Sequence, residues 1–219
     1  MRCVEGQPRA TVYTIGHSAH SIDAFLALLR GQDIETLIDV RSHPRSRWHP
    51  HFNRKRLDAS LAGAGIRYLY MGDELGGHPD NKDLYAGDGH LLYDRLSSRA
   101  VRSALKRVIE VAMEARTVLM CMEEDPAACH RHPLLARGLL ERNVAIWHIR
   151  RDGSLDDGAA LPQGQPTEQL ALIEPAGEDA SWKSPTPIKR SSTKAKPAAS
   201  GDAQLSLDLG LPAKSKGRR

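Results

Sequence analysis

The 219-residue chain has few aromatic residues, three cysteines, and no apolar run near the ~18 residues that a membrane-spanning helix needs. A transmembrane protein is therefore excluded at the level of helices. Three cysteines cannot build a disulfide framework, and Met1–Ala10 is polar, with no secretory apolar stretch. The expected compartment is a reducing cytoplasm, with no membrane partner. The scarce aromatics are also unevenly spread, since only Trp182 lies beyond Arg151. No repeat of 20–50 residues is visible, which argues against a solenoid. The formal net charge is +4, which permits an anionic partner without requiring one.

Three segments follow from composition. Residues 1–9 read as a flexible N-terminus. Residues 10–150 read as one α/β domain. Residues 151–219 are rich in Pro, Gly, Ser, Ala, Gln and Lys and read as a disordered tail, because they offer too little apolar surface to offset ordering entropy. Within 10–150, short β-rich runs predict strands at Thr11–Ile15, Thr36–Val40, Ile66–Tyr70, Thr117–Cys121 and Val144–Ile149. Ser21 is placed to cap a helix carrying Ile22, Phe25, Leu26, Leu28 and Leu29. Further helices are predicted from Asn53 through Ala64, over Leu91–Glu114 with a break near Ser97, and through Leu134, Leu135, Leu139 and Leu140. Strands alternating with helices predict a mostly parallel five-stranded sheet with helices on both faces.

Such sheets bind ligands outside the carboxyl ends of their strands. Unusual polar residues do sit there. Gly16-His17-Ser18 follows the first strand, and its backbone N–H groups are expected to hold an anion. Asp39, Arg41, Ser42, His43, Pro44, Arg45, Ser46 and Arg47 follow the second, beside Trp48, His49, His51 and Phe52. Arginine forks match phosphate oxygens, and aromatics stack on bases. Arg54, Lys55 and Arg56 extend this positive surface. Tyr70, Asp73, Glu74, Gly76 and Gly77 follow the third strand. Cys121, Glu123, Glu124, Asp125, Cys129, His130 and Arg131 follow the fourth.

Glu123 is expected at a strand tip as a general base or nucleophile, with Asp39 as a second carboxylate. Cys129 and His130 complete the expected catalytic set. Gly16, His17, Ser18, Arg41, Ser46, Arg47, Tyr70, Gly76, Gly77, Cys121 and Arg131 are the expected binding residues. The two cysteines admit three readings. They could bind zinc with a histidine, although C-x7-C-H is no standard zinc spacing. They could be a redox pair, although there is no C-x-x-C. Or Cys121 packs and Cys129 serves the site, which is the preferred reading, with no metal and no cofactor expected. Asp125 and Pro126 resemble an N-cap and first helical residue, which would put Cys129 and His130 near a helix start. Pro133 disfavours a helical His132, and the alternative is a helix that begins near Pro133, with Cys129-His130-Arg131 on the loop.

Taken together, Thr14-Ile-Gly-His-Ser18, Leu37-Ile-Asp-Val-Arg41 with Pro44, Ser46, Arg47 and Phe52, Leu75-Gly-Gly77, Met120-Cys-Met-Glu123 and Cys129-His-Arg131 resemble the bacterial domain of unknown function 488 family. The resemblance covers about residues 10–150. It implies an α/β domain with these residues gathered at one site, and no settled activity. Pro133 departs from the family's pattern, where an aliphatic residue is expected. A weaker likeness, to rhodanese-type sulfurtransferases, runs through Leu37-Ile-Asp-Val-Arg41. In those enzymes a cysteine sits in a loop of backbone N–H groups, whereas Cys121 is followed closely by two acids.

In the tail, Gln204-Leu-Ser-Leu-Asp-Leu209 resembles the short peptide by which bacterial proteins dock on the replicative sliding clamp. Gln204, Leu205, Leu207 and Leu209 would be the anchors. A 200–213 peptide is expected to bind a sliding clamp and to lose binding on Gln204→Ala with Leu205→Ala; retained affinity in that double variant would remove the docking role. The leading functional expectation is a hydrolase or group transferase acting on nucleic acid or a nucleotide-like phosphorylated substrate, linked to DNA repair or replication. The alternatives are a non-catalytic DNA-repair accessory protein tethered to the clamp, and a thiol or metal sensor or sulfurtransferase.

Overall fold

A computed structural model describes residues 8–93, 99–161, Ser184 and Pro187. Six strands form one sheet: β1 (Ala10–Gly16), β2 (Thr36–Asp39), β3 (Arg67–Tyr70), β4 (Thr117–Cys121), β5 (Val144–Ile149) and β6 (Leu155–Asp157). Their order is β3-β2-β4-β1-β5-β6. The first five are parallel, and β6 runs antiparallel on β5. The fold is thus the expected α/β class, with one strand more than predicted. That strand falls in the segment whose composition reads as tail, so the ordered domain extends past residue 150.

The alternation of side chains along each strand feeds two separate apolar layers. Tyr13, Ile15, Leu37, Val118 and Met120 face α1 (Ile22–Gly31) and α2 (Arg54–Gly63), meeting Phe25, Leu29, Leu57 and Leu61. Val12, Ile38, Leu119, Val144 and Ile146 face the other way. They pack on Val101, Leu105, Val108 and Ile109 of α4 (Arg99–Glu114) and on Leu134, Leu135 and Leu139. Ser21 caps α1 as predicted, its Oγ accepting from the Ala24 N–H at 3.2 Å. A short α3 (Gly72–Leu75) follows β3.

Two helix expectations change. Leu91 does not open the long helix. It pairs across a bridge with Tyr85, and the Leu92 N–H donates to Leu84 O, with the turn made at Gly89, whose φ is +86°. The helix after β4 starts before Pro133, which fits the reading that puts Cys129 and His130 near a helix start and not the one that starts near Pro133. Arg131–Ala136 form a π-helical turn that runs into α5 (Arg137–Leu140). The N–H groups of Leu134 and Leu135 both reach His130 O, at 3.1 and 3.2 Å. The wider turn accepts Pro133, which has no N–H to place, and keeps His132 helical.

The connections after β1 and β2 run toward β3, while those after β3 and β4 run back toward β5. The direction reverses between β1 and β4, so a crevice opens at their carboxyl ends. The expected clamp-docking residues Gln204, Leu205, Leu207 and Leu209 lie outside the described residues.

Candidate functional site

Gly16 ends β1 against the β4 loop. A Cβ there would stand 1.7 Å from Glu123 O, so only glycine lets the two loops meet. The following N–H groups are committed: His17 N–H donates to Cys121 O at 3.0 Å and Ser18 N–H to Met122 O at 2.8 Å. They stitch β1 to β4. The expectation that this turn's N–H groups hold an anion is therefore corrected, since the strand-end carbonyls already occupy them.

Asp39 and Arg41 form a buried fork pair. Arg41 Nε donates to Asp39 Oδ1 at 2.9 Å and Nη2 to Oδ2 at 2.6 Å. Tyr68 OH donates to Oδ2 at 2.8 Å, and the Arg41 N–H to Oδ1 at 3.1 Å. Burial, helped by the Asp39 charge, pushes the Tyr68 hydroxyl far above its usual range. Arg41 Nη2 also donates to Phe52 O at 2.9 Å, and Nη1 reaches His17 Nε2 at 3.2 Å. His17 stacks on Phe52 and directs Nδ1 at Ser18 O, 3.0 Å away. Nδ1 therefore carries the proton and Nε2 accepts from Arg41. Burial and the Arg41 charge lower the His17 pKa to about 3, so the ring is neutral.

The third group is built from thiols. Cys121 Sγ, at the end of β4, lies 3.1 Å from Glu123 Oε2 and 3.8 Å from His130 Nδ1. Cys129 Sγ lies 3.5 Å from the same Nδ1 and accepts from the Arg131 N–H at 3.5 Å. The two sulfurs and His130 Nδ1 all fall within 4.8 Å of one another, a spacing that could hold a metal ion. Against the cost of burial, the Cys121 hydrogen bond and the His130 charge hold the Cys129 thiol well below its usual range. The hydrogen bond to Cys129 and burial raise Cys121. Burial and the negative charge of Cys129 raise the Glu123 carboxyl.

Arg131 lies beneath this cluster, fully buried. It donates to Glu123 O at 2.7 Å, Glu124 O at 2.9 Å and Thr14 Oγ1 at 3.0 Å. Its guanidinium pins the β4 loop from within and does not line the cavity, which corrects its assignment to substrate binding. Thr14 is the cross-strand partner of His148, and Oγ1 meets His148 Nδ1 at 2.7 Å. His148 Nε2 in turn meets His132 Nδ1 at 3.1 Å. Burial and the Arg131 charge lower the His148 pKa to about 3.

One cavity of about 480 Å³ joins these groups. Cys121, Glu123, Cys129 and His130 line it together with His17, Arg41, Arg45, Ser46 and Gly77. Of the strand-end residues expected to converge, His17, Arg41, Ser46, Gly77, Cys121, Glu123, Cys129 and His130 thus line it together. Asp39, Gly16, Ser18, Arg47, Tyr70 and Gly76 are not in the wall. Arg47 sits over the exposed Trp48 ring, and Tyr70 OH donates to Ser42 O and Asp73. Gly76 and Gly77 act by being small, since a Cβ would press Ser42 Oγ at 2.2 Å and His130 Nδ1 at 2.6 Å. His78, Tyr93, Ser184 and Pro187 line the cavity unforeseen. For His78 a signal existed, since it directly follows Gly76-Gly77. For the Thr14–His148–His132 contacts the signal was a histidine inside the apolar run Val144–Ile149.

A mostly parallel α/β sheet whose switch-point crevice is lined by a thiol–carboxylate cluster and by arginine defines the class of domain. The family model described as "Domain of unknown function DUF488" matches residues 21–137, over half of the chain, and the chain belongs to that family. No curated protein and no solved structure matches it.

Proposed function

We propose that this domain is a hydrolase or group transferase acting on a small phosphorylated molecule of nucleotide size. The observation that carries the reading is that one cavity is lined both by Glu123, Cys129 and His130 and by Arg41 and Arg45. Its volume is in the range of small-molecule sites. Arg41 has one Nη1 hydrogen beyond those given to Asp39, Phe52 and His17, and it lines the cavity with Arg45, so phosphate oxygens have charged donors there. Glu123, whose carboxyl burial lifts above its usual range, is placed in the cavity wall to take a proton from the attacking group and return it to the leaving oxygen. Asp39 has both carboxylate oxygens engaged, which supports a positioning role through Arg41 in place of the catalytic one. A link to DNA repair or replication rests on the tail sequence alone.

Glu123→Gln is expected to cut turnover of the best nucleotide or phosphomonoester by roughly 10²–10⁴-fold while leaving its affinity within a few-fold. Arg45→Ala is expected mainly to raise KM. Turnover at the wild-type rate in Glu123→Gln would reject the assignment. Nucleotide binding without any turnover in the wild-type chain would favour the accessory-protein reading.

A further inference from the structure

We propose that Cys121, Cys129 and His130 bind one zinc-class divalent cation, with a fourth position open to the cavity and Glu123 beside it. The site deepens the function just proposed, on which its catalytic part rests. The first support is geometric. With metal–sulfur bonds of about 2.3 Å and a metal–nitrogen bond of about 2.0 Å, a tetrahedral site separates sulfur from nitrogen by about 3.5 Å. His130 Nδ1 stands 3.5 Å from Cys129 Sγ and 3.8 Å from Cys121 Sγ. One nitrogen facing two sulfurs at those separations is the edge pattern of such a site.

The donor set selects the ion. Two thiolates and an imidazole favour zinc-like cations over magnesium or calcium, which take oxygen. Three protein ligands leave the fourth position for water, the arrangement of catalytic zinc sites. The surroundings fit a bound charge. The Arg131 N–H donates to Cys129 Sγ, the kind of second contact that orients a metal-bound thiolate. Arg131 itself is fully buried and makes no ion pair among the described residues. Two thiolates and a dication sum to neutrality, so the ion and its ligands add no net charge to the buried site.

A separate observation points to a ligand in the cavity. His130 is 8% exposed, and its Nε2 is a buried polar atom with no hydrogen-bond partner among the described residues. With Nδ1 on the cation, Nε2 carries the hydrogen and needs an acceptor. A bound ligand that reaches this atom would supply one. The C-x7-C-H spacing hides the site because its ligands come from a strand end and the residues leading into a π-helical turn, brought together by the intervening loop.

In the reaction, the cation polarises a water and Glu123 accepts a proton from it. The water oxygen bonds to phosphorus, the bond from phosphorus to the leaving oxygen breaks, and that oxygen takes the proton from Glu123. Metal binding itself releases the thiol protons to solvent.

The test uses the full chain, stripped with chelator and checked for folding by circular dichroism, then titrated with Co²⁺. One equivalent with strong thiolate-to-cobalt absorption, displaced by Zn²⁺ and not by Mg²⁺, is expected. Cys121→Ser and Cys129→Ser should each weaken Co²⁺ binding by at least 100-fold. Glu123→Gln should still bind one equivalent, and a loss as large as in the cysteine variants would overturn the open position. Because a cysteine variant could unfold, a second measurement uses the wild type: Zn²⁺ should protect Cys121 and Cys129, but not Cys3, from iodoacetamide, as read by peptide mass. No Co²⁺ binding by the folded wild type, or unprotected thiols, would overturn the site. A metal-free, folded chain with full turnover would overturn this inference and keep the enzymatic reading. A chain that binds Co²⁺ but turns over no phosphorylated substrate would keep the site and remove that reading.

Discussion

Asp39→Ala is expected to destabilise the domain by about 3–5 kcal/mol, more than any loss of a surface ion pair could. Asp39 is fully buried and Arg41 nearly so, and the carboxylate accepts from Arg41 Nε, Arg41 Nη2, the Arg41 N–H and Tyr68 OH. Removing it leaves a guanidinium without its counter-charge and a buried phenol without an acceptor. Arg41 would then loosen from His17 and Phe52 O, and the cavity wall would lose its shape. Asp39→Asn keeps one acceptor and should cost less. An Asp39→Leu with Arg41→Met pair should regain much of the loss, because the penalty lies in the unpaired charge. Urea midpoints of the three chains decide the matter. A shift below about 1 kcal/mol in Asp39→Ala would show that the fork pair does not hold this corner together.

The same pair shows how far the sequence could be read. Asp39 and Arg41 are recognisable as strand-end residues because Thr36–Asp39 is a short β-rich run and parallel strands deliver their ends to one rim. Which of the two faces the cavity depends on the χ angles of a bidentate pair, and no spacing rule reports those. Arg131 shows the same limit. Its place after β4 was legible, but its inward direction depends on the π turn that absorbs Pro133, a local geometry with no periodic signal. The turn of Gly16 was legible as a turn. That its N–H groups serve Cys121 O and Met122 O follows from the pairing of β1 with β4, a long-range fact. β6 was missed for another reason. Leu155-Asp-Asp has no apolar pattern, and the strand holds by backbone pairing on β5 and by the ion pair of Arg150 Nε with Asp156 at 3.4 Å. An edge strand of charged residues resembles a loop in composition.

Acid is expected to unfold the domain at pH values where most carboxylates are still ionised. His17 and His148 are buried and neutral, with pKa values lowered from 6.5 to about 3. In the unfolded chain both would bind protons near 6.5. The unfolded state therefore binds more protons throughout the window from about 6.5 down to 3. Their contribution is whole above 6.5 and is lost as the pH falls through that window. By pH 5 each histidine costs about 2 kcal/mol relative to pH 8. His20 and His78 are lowered as well and act in the same direction. Glu123 and His130 are raised and oppose them in part. The balance is a net loss of a few kcal/mol between pH 8 and pH 5, readable as a falling urea midpoint. A midpoint that stays level or rises over that range would contradict the buried neutral pair. His148→Gln separates the effects: it should lower stability at pH 7.5, where Thr14 Oγ1 and His132 Nδ1 lose a matched partner, and make the acid loss shallower. Since Arg131 shares Thr14 with that histidine and pins Glu123 O, protonating His148 places a second positive charge beside the one that anchors the β4 loop. The cavity's reactive end should thus give way before the opposite face of the sheet does, and hydrogen exchange at pH 5 should rise first at Met122–Glu124.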